Sequence, residues 1–139
     1  MLALDELFAA ALAARTHAYA PYSRFQVGAA LLSATGGIYS GCNVENAAYP
    51  VGTCAEAGAI AAMVAAGERS ISRILVLAEG AGMVTPCGAC RQRIREFAGP
   101  ETRIEIANKN GIQATFSIDE LLPESFGPAT LHQAEIARK

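Results

Sequence analysis

Residues 53–98, TCAEAGAIAAMVAAGERSISRILVLAEGAGMVTPCGACRQRIREFA, decide the fold. At their centre Ile71 to Ala78 is a β-branched, apolar run, which reads as a buried strand. Before it, Cys54 to about Gly67 reads as a helix, with Thr53 as N-cap and Gly67 as C-cap. After it, Gly80 to Thr85 is a loop, and Cys87 to Ala98 is a second helix opened by Pro86. Helix, strand and helix in close succession call for a sheet covered by helices. Both helices begin with cysteine.

On the N-terminal side, Arg24 to Leu32 changes to period two, with Phe25, Val27, Ala29 and Leu31 alternating against Gln26, Gly28, Ala30 and Leu32. That is a strand, and the short turn Thr35-Gly36-Gly37 makes the next strand, Ile38 to Val44, antiparallel to it. A loop from Glu45 to Gly52 leads into the first cysteine helix. Residues 2–19 form an Ala/Leu-rich helix, with Leu4, Leu7, Phe8, Ala11 and Leu12 on one face, closed by Pro21. On the C-terminal side, Arg103 to Ala107 and Ile112 to Phe116 flank an Asn-Gly turn and pair as a hairpin. Ser117-Ile118-Asp119-Glu120 is a capping box on a short helix. Residues 123–128 form a turn-rich tail, and a polar C-terminal helix follows. The order predicts one α/β domain over residues 1–139, with a mixed sheet.

Composition narrows the function. The 139 residues are 52% hydrophobic and 17% charged, with a net charge of −2, so the chain is too apolar for disorder. It offers no basic face for a nucleic-acid polymer. Its longest apolar stretches fall far below the roughly 20 residues needed to span a bilayer. Asp5 and Glu6 stand where a signal peptide carries positive charge, so the expected compartment is the cytoplasm. There, the four cysteines read as metal ligands or catalytic thiols before disulfides. The surplus of apolar residues points to association between subunits.

Pro86-Cys87-Gly88-Ala89-Cys90 places two thiols at a helix start, where backbone amides favour thiolate charge. Taken alone, the motif fits zinc binding, thiol exchange or simple burial. Thr53-Cys54-Ala55-Glu56 fits a capping box with a buried thiol. Together they place three sulfurs at two helix starts that can converge, leaving a fourth coordination position open. That is the pattern of catalytic zinc, since a structural site is closed. Zinc deaminases carry the order His or Cys, one residue, Glu, and later Pro-Cys-x-x-Cys, and this chain has it. Zinc lowers the pKa of bound water, and a carboxylate two residues past a ligand can move the water's proton. Phe25 by itself reads as core, and Asn43 and Glu45 as a solvated strand end. Cys42 has the best claim to complete a structural four-cysteine site, but is read as a buried thiol. His17 and His132 have no ligand spacing and read as surface residues.

With Phe25-Gln26-Val27-Gly28-Ala29 and Asn43-Val44-Glu45-Asn46 added, the sequence resembles the small, homotetrameric type of cytidine deaminase. The matching stretches are Tyr22 to Leu32, Gly41 to Tyr49, Thr53 to Glu56, Pro86 to Phe97 and Leu121 to Pro128. The resemblance implies a three-layer α/β/α fold on a five-stranded mixed sheet with antiparallel pairs at its start and end. It implies one zinc per subunit on Cys54, Cys87 and Cys90, with Glu56 as proton shuttle. It implies that Asn43 and Glu45 bind the ribose, Phe25 packs on the pyrimidine, and the Ala55 backbone helps hold the base. Phe126 would come from a neighbouring subunit. The implied reaction is hydrolytic deamination of cytidine and 2′-deoxycytidine in pyrimidine salvage. The competing readings are a deaminase of another aminopyrimidine and a non-enzymatic, zinc-stabilised binding domain. One departure stands out: an Arg commonly follows the Glu in this family, and here the residue is Ala57. The two helix N-termini, with Arg91 beside Cys90, are expected to offset the excess negative charge.

Overall fold

The computed structural model describes residues 2–132. Five strands, β1 (Val27–Ser33), β2 (Ile38–Cys42), β3 (Ile71–Ala78), β4 (Ala98–Asn108) and β5 (Gly111–Phe116), form one sheet in the order β2-β1-β3-β4-β5. Only β3 and β4 run parallel, while β1 with β2, β1 with β3, and β4 with β5 are antiparallel. The sheet is therefore mixed, with antiparallel pairs at both ends.

Alternation along the strands builds two cores. Ala30, Leu75, Leu77 and Ala107 face helix α1 (Leu2–Thr16), where Leu7 and Ala11 are fully buried. Leu31, Ile74, Ile104 and Ile106 face the other way. They pack against α2 (Ala55–Ala65), α3 (Gly88–Phe97) and α4 (Ile118–Leu121) through residues such as Met63, Ile94 and Ile118. Each buried Leu or Ile contributes roughly 1.5–3 kcal/mol, so the two clusters give the three α/β/α layers an apolar core on each face.

Several boundaries move, each for a backbone reason. Helix α1 ends at Thr16, well before Pro21, because the Tyr19 N–H is taken by the Asn43 carbonyl at 3.0 Å. Leu12 lies at the flank of the buried stripe and is exposed, and the Leu4 side chain lies outside those described. Strand β1 begins at Val27, so Phe25 precedes the sheet: the Asn43 side chain, not a neighbouring strand, meets the Phe25 carbonyl and the Val27 N–H. Strand β2 ends at Cys42, short of Val44. Strand β4 starts at Ala98, ahead of Arg103, because Ala98 pairs with Ile71 before a bulge. Thr102 holds that bulge by donating to the Ile71 carbonyl at 2.7 Å and accepting from the Gly99 N–H at 2.9 Å. The capping box of Ser117 and Glu120 is present. Residues 128–132 are helical, and the rest of the expected C-terminal helix lies outside the described residues. His17 and His132 are exposed.

One close approach fixes where α2 lies. A Cβ at Gly41 would stand 2.5 Å from the Ala55 carbonyl oxygen and 2.5 Å from the Ala59 nitrogen. Only glycine on β2 lets the α2 backbone come this near. The result seats the first turn of α2 against the β2 end, where Asn43 and Glu45 follow.

Candidate active site

Neither cysteine helix starts as the motif reading suggests. Cys54 is itself the N-cap of α2, and Cys87 is the N-cap of α3. Thr53 is instead locked in a two-residue ladder, its N–H on the Val44 carbonyl at 2.9 Å and its carbonyl accepting from the Val44 N–H at 3.0 Å. No side chain caps α2, so Glu56 is free of a capping duty. At an N-cap the thiol sits beside the orphan amides of the first turn, which favour a thiolate.

The sulfurs of Cys54, Cys87 and Cys90 all lie within 4.8 Å of one another, and those of Cys54 and Cys87 are 3.7 Å apart. A tetrahedral zinc with Zn–S bonds near 2.3 Å requires an S···S separation of about 3.8 Å. The Cys54–Cys87 pair meets that spacing, and the three thiols, graded from exposed Cys87 through half-buried Cys54 to buried Cys90, are grouped closely enough to hold one metal ion. Burial pushes the Cys54 and Cys90 thiols up, and the Glu56 carboxylate adds to the rise at Cys90. Burial also raises the Cys87 thiol, but the Cys90 amide, the Cys54 and Cys90 side chains and the Ala89 amide outweigh it and leave Cys87 below the ordinary thiol range. Cys42 stands apart on β2, half-buried where the sequence reading places it in the core.

Glu56, the second residue of α2, is only 4% exposed, and burial pushes its carboxyl above the usual range. It lines a cleft of about 660 Å³ together with Phe25, Asn43, Glu45, Ala55 and the cysteines Cys54 and Cys87. That volume lies within the range of small-ligand sites. Tyr22 and Tyr49 meet edge-on at its rim, with centroids 6.0 Å apart. Seven of the nine expected site residues thus line one cleft, and Cys90 joins them through the sulfur cluster. Phe126, the ninth, is 56% exposed and does not line this cleft.

Phe25, Asn43 and Glu45 are interlocked through Ser23, a residue the motif reading passed over. The Ser23 hydroxyl donates to the Glu45 carboxylate and accepts the Phe25 N–H at 3.0 Å. The Tyr22 and Ser23 N–H groups also donate to Glu45, at 3.0 and 3.1 Å. Asn43 Nδ2 donates to the Phe25 carbonyl at 2.9 Å, closing the network. The Ser23 hydroxyl, then its amide and that of Tyr22, hold the Glu45 carboxyl below its ordinary value of 4.5. A lowered folded-state pKa stabilises the fold above the unfolded value, and the effect fades as pH falls through the folded one. In Ser23→Ala the Glu45 carboxyl should titrate at higher pH, as followed by carboxyl NMR. An unchanged titration would mean that the two amides alone hold it.

The charge around the sulfurs also differs from expectation. Arg91 turns its guanidinium to the Pro86 and Leu121 carbonyls, each at 2.8 Å, and to the Thr85 hydroxyl at 3.0 Å. It fastens the cleft loop to α3 and α4. Arg93, three residues beyond Cys90, reaches the sulfur instead.

Comparison with known proteins identifies the family. The profile of the cytidine and deoxycytidylate deaminase zinc-binding region matches residues 2–105. The chain belongs to the cytidine deaminase family. A cytidine deaminase of Sporosarcina psychrophila is 43% identical over 131 residues, 94% of this chain and 96% of that protein. The crystal structure of cytidine deaminase from Burkholderia pseudomallei superposes with a TM-score of 0.81 at 43% identity, covering 88% of this chain and 98% of that one. The Mycobacterium tuberculosis cytidine deaminase structure gives 0.75 at 35% identity, covering 88% and 96%. As a family member the chain is an enzyme, a hydrolase with the deaminase α/β fold and a zinc-binding region. Among the described residues no helix is long and apolar enough to cross a membrane.

Proposed function

We propose that residues 1–139 act as one zinc-dependent domain that hydrolyses cytidine and 2′-deoxycytidine to uridine and 2′-deoxyuridine with release of ammonia. The observation that carries this reading is the buried Glu56 beside three sulfurs clustered within 4.8 Å of one another, in the lining of a nucleoside-sized cleft. Cys54, Cys87 and Cys90 would hold one zinc per subunit, which supplies Lewis acidity and an activated water near neutral pH. Glu56 takes a proton from the attacking water and passes protons to the ring nitrogen and the departing amine. A carboxyl raised by burial suits that exchange, because its two protonation states lie closer in energy near neutral pH.

Substrate contacts follow from the rim. Glu45, held ionised by Ser23, and Asn43 offer hydrogen-bond partners to the ribose hydroxyls. The exposed Phe25 ring packs on the pyrimidine, and the Ala55 backbone at the α2 start holds the base. The chain carries a net charge of −2, and among the described residues no lysine or arginine lines the cleft, which favours a free nucleoside over a polynucleotide as substrate, as in pyrimidine salvage in the cytoplasm.

Association completes the site. The tail is pinned on α3, with Gln92 donating to the Phe126 carbonyl at 2.8 Å and Arg95 to the Ser125 hydroxyl at 2.9 Å, while the Phe126 ring stays exposed. A ring held this way is poised to enter a neighbour's cleft in a homotetramer. Exposed Tyr22, Tyr49 and Val51 around the cleft supply apolar surface for that contact.

An absorbance assay on cytidine, 2′-deoxycytidine, cytosine and adenosine tests the reading. Turnover of the first two alone is expected. Turnover confined to cytosine or adenosine, or none on any of the four by zinc-loaded protein, would refute it.

A further inference from the structure

The residue after Glu56 is Ala57, so the first turn of α2 brings no cation to the sulfurs. Helix α3 brings one: Arg93 Nη1 donates to Cys90 Sγ at 3.4 Å. Cys90 and Arg93 are three apart on one helix, the spacing at which side chains meet. The flanking arginines are committed elsewhere, Arg91 to two carbonyls and a hydroxyl, and Arg95 to Ser125. Among the described residues, Arg93 is thus the cationic side chain that hydrogen-bonds a cysteine sulfur.

Building on the zinc reading above, we propose that Arg93 is a positioning residue that neutralises the tricysteine site through Cys90 and keeps zinc bound. Three thiolates around a divalent ion leave one net negative charge, and buried charge without a partner is costly. The competing source of compensation is the pair of helix N-termini, each worth about half a positive charge but acting only within the first turn. Those amides serve Cys87, the N-cap of α3, which draws on the Ala89 and Cys90 N–H groups. Cys90, the third residue of α3, is fully buried, so its charge is the costliest of the three to leave without a partner. It is also the sulfur that Arg93 touches. The hydrogen bond withdraws electron density from Cys90 Sγ as well, which leaves the bound metal a stronger Lewis acid.

The test follows release of zinc from the loaded full-length protein to a chromophoric chelator. Arg93→Gln should weaken zinc retention by about 10- to 100-fold, the usual effect of losing a partner of a metal ligand. Arg93→Lys keeps the charge without the planar fork and should recover part of the loss. The melting midpoint of each zinc-free variant, expected to match that of the parent, separates charge balance from folding. Retention by Arg93→Gln equal to the parent's overturns the proposal, as does Arg93→Lys performing no better than Arg93→Gln. A parent protein that takes up no zinc overturns the zinc reading itself, and this inference with it.

Discussion

Glu56→Gln should lower kcat on cytidine by about 10²- to 10⁴-fold, the range for loss of a positioned acid–base group. Gln preserves the shape and the hydrogen-bonding reach of the side chain but cannot carry a proton between water and base. Because Glu56 is not among the clustered sulfurs, zinc content should stay at the parent level. KM should change little, since the rim residues Phe25, Asn43 and Glu45 are untouched. The expected signature is therefore a fall in kcat at constant zinc and near-constant KM. A purely structural role for Glu56 predicts the opposite: lower thermal stability with turnover retained. That alternative is weakened by the missing cap, because neither Thr53 nor any other side chain caps α2. Steady-state kinetics and metal analysis on the same preparation separate the two, and near-normal kcat would end the shuttle assignment.

How far the sequence leads depends on the range of the interaction that decides each feature. Cys54-Ala55-Glu56 and Pro86-Cys87-Gly88-Ala89-Cys90 are legible because helix starts are local events and place thiols by spacing alone. The strand order is legible in part, since short turns such as Thr35-Gly36-Gly37 force antiparallel neighbours. The parallel β3–β4 pairing comes from the long crossover through α3, which no turn motif marks. Phe25 looks like a strand residue by alternation, yet a side chain eighteen positions away, Asn43, takes over its backbone bonding. Ser23 was invisible for the same reason, since its role lies in contacts to Glu45 across the cleft rim. The Arg91 expectation failed through proximity in sequence: being next to Cys90 turns a helical side chain about 100° away, whereas Arg93 at three positions shares its face. That i, i+3 spacing was the available signal.

Stripping zinc should abolish deamination while leaving the domain folded. A Lewis acid supplies several kcal/mol of transition-state stabilisation, so the loss expected on removal is at least about a thousandfold. The fold should survive because its apolar clusters are built from residues such as Leu31, Ile74, Met63 and Ile106, and no cysteine is part of either one. The metal-free site also avoids accumulating charge. Burial keeps the Cys54 and Cys90 thiols protonated, so removal of the ion does not leave three thiolates facing one another. Loading must then release protons, and zinc retention should fall as pH falls. Chelation, circular dichroism and the cytidine assay on one sample test these points, with activity recovered on adding zinc back. Unfolding on chelation would make the metal structural, and full activity in zinc-free protein would remove it from the chemistry. The sharper control is Cys87→Ala, whose exposed thiol packs against nothing in the core. It should lose zinc and turnover together while its melting midpoint stays close to that of the zinc-free parent.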